Sequence, residues 1–213
     1  MRPVVELSWA HGAFWRMDRP PSGSGGEMFQ KNDLVVYGRT GVCRVMDITT
    51  PDFFRAKPGE EKKLYYMLKP LYQGGTIYAP MDNPKVLIRP ILTAAEAKRL
   101  VDMIPTIGVQ AYYGGSTQEL RNHYQTLMQT SDCADLMELV MSIYAKKVYV
   151  EQTKRKFGAV DEHFMKEAEQ LLNGELAASL DIPMNEVSDY IAAKVKARKA
   201  VPARGADALA QEV

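Results

Sequence analysis

Leu64-Tyr65-Tyr66-Met67-Leu68-Lys69-Pro70-Leu71-Tyr72-Gln73-Gly74-Gly75-Thr76-Ile77-Tyr78-Ala79 decides how the first half of this chain folds. Its two ends, Leu64–Leu68 and Thr76–Ala79, are short runs of aromatic and branched residues, the composition of strands. Gly74-Gly75 between them supplies positive φ without steric cost, which makes this the best hairpin signal in the sequence.

Working outward, further strands are expected on both sides. Leu34-Val35-Val36-Tyr37 is followed by the turn Gly38-Arg39-Thr40-Gly41, with glycine at both ends. Val42–Ile48 comes next, with Val42, Arg44, Met46 and Ile48 expected on one face. A polar loop spans Thr50–Glu61, and Val86-Leu87-Ile88 closes the set at Pro90. Five short strands in about sixty residues predict a small, strongly bent antiparallel barrel. Such a barrel has little room for a substrate, and it contains no paired carboxylates, no Ser/His/Asp set and no phosphate-cradling loop. Its exposed edges can accept a strand from another protein.

Beyond Leu92 the pattern becomes helical. Thr93-Ala94-Ala95-Glu96 is a capping box that opens a helix ending at Pro105, and Ser116-Thr117-Gln118-Glu119 reads as a second box. Between them Gly108–Gly115 reads as a flexible linker. The second box starts a helix with Leu120, Tyr124, Leu127 and Met128 on one face. Ser131 or Asp132 caps another, with Leu136, Leu139, Val140, Ile143 and Val150 inward. A third runs from about Asp161 with Phe164, Ala168, Leu171 and Leu172 as its stripe, crossing Asn173-Gly174. Pro183 suits the first position of a last helix ending near Lys199. The class is therefore α+β, a small antiparallel β barrel followed by an all-α domain. Its expected boundaries are 28–92 for the barrel, 93–115 for helix and linker, and 116–200 for the helical domain.

Residues 1–27 end in the breaker-rich run Pro20–Glu27 and 201–213 have a tail-like composition, so both are expected to be disordered. Gly25-Gly26-Glu27 before Met28 can be encoded by a purine-rich ribosome-binding stretch, which makes Met28 the expected start and the arm a mis-assigned one. Cys43 and Cys133 have no Cys/His neighbours at metal-ligand spacing, so two reduced thiols and no metal or other cofactor are expected. Reduced thiols and the lack of any apolar run of membrane-spanning length point to the cytoplasm and to no membrane association.

The net charge of +1 gives no global pull toward nucleic acid. Phe29–Leu92 holds ten Lys/Arg against six Asp/Glu, and Thr117–Lys199 holds eleven against thirteen. Any DNA contact of the helical half must therefore be local. The cluster Lys146, Lys147, Lys154, Arg155 and Lys156 is one such patch, with Lys147 and Lys154 seven apart and expected on one helix face. A solvated helix end accounts for the same residues. Glu175–Tyr190 has the spacing of a helix-turn-helix, but its second helix would open with Asn185, Glu186 and Asp189, which repel phosphates.

The order of short motifs resembles the CarD/CdnL family of bacterial transcription regulators. Phe29–Tyr37 with Gly41-Val42, Leu64–Leu68, Ile77–Asn83 and Ile88-Arg89-Pro90 resemble its strands; Glu138–Tyr144 and Ala168–Ala177 resemble its helices. The resemblance covers roughly Met28–Ile191. It implies a Tudor/SH3-like barrel that docks on the RNA polymerase β subunit, and a helical domain that touches promoter DNA weakly and without sequence preference. It also implies a non-enzymatic regulator of open promoter complexes, here expected to be a monomer. Four places depart from the family pattern. Leu120 stands where a tryptophan wedge is usual, Asn122-His123 where a basic pair precedes the tyrosine, Tyr78 where an arginine often contacts polymerase, and Tyr144 where another tryptophan is common. The candidate DNA face is Leu120, Arg121, His123, Lys146, Lys147 and Lys154; the candidate polymerase face is Tyr78 and Arg39. The alternative is an independent helix-turn-helix repressor using residues 175–199.

Overall fold

A computed structural model describes residues 28–51, 63–82, 85–106 and 108–200. The arm 1–27, the tail 201–213 and most of the polar loop at 50–61 lie outside the described residues. Five strands form one antiparallel sheet: β1 (Leu34–Tyr37), β2 (Gly41–Thr49), β3 (Tyr65–Pro70), β4 (Ile77–Pro80) and β5 (Ile88–Pro90). Their order is β4-β3-β2-β1-β5, so β4 and β5 are the two edges. Five helices follow: α1 (Ala94–Met103), α2 (Thr117–Gln129), α3 (Cys133–Gln152), α4 (Ala159–Leu180) and α5 (Val187–Ala200). The α+β class, with its β module first, holds.

The face expected for β2 is corrected at Ile48, while Val42 and Arg44 do share a face. Cys43 and Val45, not Val42 and Arg44, point into the barrel, where they pack with Val35, Tyr66, Leu68 and Ala79. The register against β3 slips between Val45 and Asp47. This bulge inserts one residue, so Ile48 joins the side occupied by Cys43 and Val45 although strict alternation would put it opposite.

Val36 and Val42 are 4% and 2% exposed. They lie on the other face of the β1–β2 hairpin, lining a small cleft with Leu136 and Leu171 of the helices. Both faces of this hairpin are thus buried, which explains why its sequence reads as an apolar run rather than an alternation. Burying each valine contributes about 1.5–3 kcal/mol. Gly41, at φ 81°, turns the hairpin where a Cβ would sit 3.2 Å from Leu171. Gly174 does the same for the helix: a Cβ there would lie 3.1 Å from the Tyr72 ring. The glycine that interrupts the stripe by propensity is where Tyr72 of the barrel packs close against the helix, and α4 runs through it unbroken.

In the helical half, Leu120, Tyr124, Met128, Leu136, Leu139, Ile143, Phe164, Leu172, Leu176 and Val187 form one core. Thr93 and Glu96 make the reciprocal capping box. The second box is only half made. Ser116 accepts from the Glu119 amide, but the Glu119 carboxylate reaches one residue further back, to the Gly115 amide at 2.8 Å. That contact, with Tyr112 N donating to Ser142 Oγ and Ser142 Oγ to Gln110 O, ties the segment before α2 to α2 and α3. The expected free linker is therefore anchored. Asp132 caps α3. Asp181 ends α4 in the left-handed region (φ 54°, ψ 47°). Pro183 precedes a 3₁₀ turn, Met184–Glu186, and α5 starts four residues later than proline at a first helical position would require.

Candidate functional site

The two edges of the sheet face different surroundings. At β5, Arg89 is 2% exposed and reaches into the helical half. Its Nη1 donates to Glu175 Oε1 at 2.6 Å and to Pro90 O at 3.1 Å, and its Nη2 to Glu175 Oε2 at 2.7 Å. Nε donates to Ser131 O at 2.9 Å, and Nη2 bonds the same carbonyl. All five guanidinium protons are used. Glu175, also 2% exposed, accepts in addition from Leu92 N and from Cys133 Sγ, both at 3.0 Å. Burial alone would lower the Arg89 pKa, but the hydrogen bonds and charge of Glu175 outweigh it and hold the guanidinium charged. Burial and the neighbouring carboxylate push the Cys133 thiol well above its ordinary range. The cluster fastens β5, the start of α1, the α2–α3 turn and α4 together.

Among the described residues β4 pairs with β3 alone, with Tyr78 opposite Met67 and partly exposed. Arg39, the other candidate on the barrel, is half-exposed and hydrogen-bonded to Glu167 of α4, so it faces the helical half rather than the β4 edge.

The residues expected on a DNA face do not form one surface. Leu120 is 8% exposed and packs in the helical core. Lys146 is equally buried, its Nζ donating to Asp161 Oδ1 at 2.8 Å, an atom that also accepts from Tyr124 OH at 2.8 Å. Burial, then the hydrogen bond to Asp161, raises the Tyr124 pKa well beyond its ordinary value. His123 stacks on Tyr112 at 3.9 Å, and burial lowers its pKa, which keeps it neutral at pH 7. Arg121 and Lys154 are exposed and Lys147 is half-buried. Lys147 and Lys154 do not share a helix face. α3 ends at Gln152, and Lys154 follows at φ 53°.

Sequence reasoning missed the Arg89–Glu175 pair and Asp161. A signal existed for Glu175, which falls on the apolar stripe of α4 between Leu172 and Leu176. A charge at such a position needs a buried counter-ion. The helix-turn-helix segment is a real corner, but Val187 at the start of α5 is fully buried and Glu175 is committed to Arg89.

Among the described residues no helix is long and apolar enough to cross a membrane, and no three His, Cys, Asp or Glu side chains are grouped to hold a metal ion. No curated protein matches the chain. Residues 29–92 match the family model of the CarD-like/TRCF RID domain, a domain of RNA polymerase-interacting transcription factors. The matched span starts just before β1 and ends just after β5, so the part of this chain that is similar to the CarD-like/TRCF RID domain is its whole β barrel.

Proposed function

We propose that this chain is a bacterial transcription regulator that docks on the RNA polymerase β subunit through its barrel. The helical half then modulates the stability of the open promoter complex, with no chemistry of its own. The observation that carries this reading is the asymmetry of a sheet matched to this domain family: β5 is locked to the helices, whereas β4, among the described residues, pairs with β3 alone. An open edge strand offers main-chain hydrogen bonds to a partner strand. Tyr78 on that strand is the proposed anchor, since tyrosines dominate the energetics of many interfaces.

The DNA contact is proposed for Arg121 and Lys154, the exposed cations of the set, and for the half-buried Lys147. Three cations neutralise few phosphates, so binding to naked DNA is weak and steeply salt-dependent. Docking on polymerase supplies the missing affinity by raising the local concentration of the helical half at the promoter. Binding of the full chain to purified bacterial RNA polymerase tests the reading. A complex forms without DNA, and Tyr78→Ala weakens it about tenfold. Failure to bind polymerase, with tight sequence-specific binding to naked DNA, would overturn it in favour of the helix-turn-helix repressor.

A further inference from the structure

Two tyrosines of the helical half are held in place yet left in water. Tyr113 and Tyr149 are 51% and 48% exposed, and their rings meet edge to face with centroids 6.2 Å apart and planes at 81°. Neither is a loose surface residue. Tyr113 sits in the anchored segment before α2, between Tyr112, whose amide is tied to Ser142, and Gly114, which turns at φ 62°. Tyr149 is in the last turn of α3. The buried Lys146, fixed by Asp161, places its Nζ 5.4 Å from the centre of the Tyr113 ring. This arrangement orders an apolar surface that the core does not use.

The surroundings select the occupant. Thr153 bonds back to the Tyr149 carbonyl through both its amide and its hydroxyl, so the chain turns beside Tyr149. It then presents Lys154, Arg155 and Lys156, all exposed, with Glu151 the one acidic residue between Tyr149 and Lys156. Flat π surface bordered by cations suits a ligand with flat rings on a polyanionic backbone. In a duplex the faces of the bases are hidden by stacking and only their edges are offered. An unpaired nucleotide offers a face.

We propose that Tyr113 and Tyr149 form a stacking platform for an unpaired base of single-stranded nucleic acid, with Lys154, Arg155 and Lys156 holding the adjoining phosphates. The inference rests on the DNA-contacting role proposed above and names which form of DNA that surface prefers.

The test uses the full chain and two probes of one sequence, a labelled 12-nucleotide single strand and its duplex, with polymerase binding measured in parallel. The single strand is expected to bind more tightly than the duplex. The double variant Tyr113→Ala/Tyr149→Ala should lose roughly tenfold for the single strand and little for the duplex. Tyr113→Phe/Tyr149→Phe, which keeps both rings, should retain single-strand binding. Equal single-strand affinity for parent and alanine variant would overturn the platform while leaving duplex contact by the cations intact. Loss of polymerase binding with single-strand affinity unchanged would reassign the tyrosines to a protein contact and also overturn it. Binding of neither probe by the parent would overturn the platform and the DNA-contacting role together.

Discussion

β5 and β4 close the same sheet at opposite ends. The β5 end carries a guanidinium whose every proton is bonded and a carboxylate that accepts four donors. The β4 end pairs with β3 and, among the described residues, with no further strand. A sheet edge is a hazard unless it is covered or put to use. Arg89 ties the β5 edge to the helices, and the β4 edge is the one proposed above to take a partner strand. Damage at β5 should therefore appear as lost stability, and damage at β4 as lost binding.

The strongest way to break the comparison is Glu175→Ala, which leaves Arg89 buried without its counter-charge. A loss of about 3–5 kcal/mol is expected by denaturant titration. Removing both charges, Arg89→Met with Glu175→Leu, should restore most of that loss, because a dry apolar pair needs no desolvation of ions. At the open edge, Tyr78→Ala should change stability by less than about 1 kcal/mol while weakening polymerase binding. If the two losses were reversed, the assignment of the edges would be wrong. Gly41→Ala sharpens the picture at the hairpin between them. The positive φ and the Leu171 contact should together cost about 1–2 kcal/mol by thermal melting.

The smallest effect is one of pH. His123 has its pKa lowered by burial, so the unfolded chain binds its proton first as pH falls. Its neutral form contributes stability that is complete above the ordinary histidine pKa and is lost as pH drops through and below about 6.5. Melting of the parent should decline more than that of His123→Gln between pH 7.5 and pH 5.5, both limits being about one unit from that ordinary value. An identical decline would remove His123 from the account.

The sequence made the barrel legible because its strands are short, β-branched and punctuated by glycine. The helices were equally legible from Thr93, Ser116 and the stripe through Leu120, Tyr124 and Met128. Ile48 was assigned to the wrong face of β2 because a bulge at Met46 changes phase without changing composition. The anchoring of the segment before α2 was also hidden, since Ser142 lies 30 and 32 residues from Tyr112 and Gln110 and gives no local cue. The candidate site was the least legible part. Lys146 and Lys147 are adjacent in sequence, yet one is buried against Asp161 and the other lies near the surface. Only the helix phase, fixed by packing, separates them.

The matched domain ends at residue 92, but the molecule has no seam there. Val36 and Val42 keep their backs against α4, and the Leu92 amide closes onto Glu175. A fragment cut at that boundary would carry an oily flank and a stranded cation, and would stick to itself. Barrel and helices are therefore expected to hold together as one unit. A barrel given a different helical companion would need a carboxylate at the position of Glu175, or an apolar residue in place of Arg89.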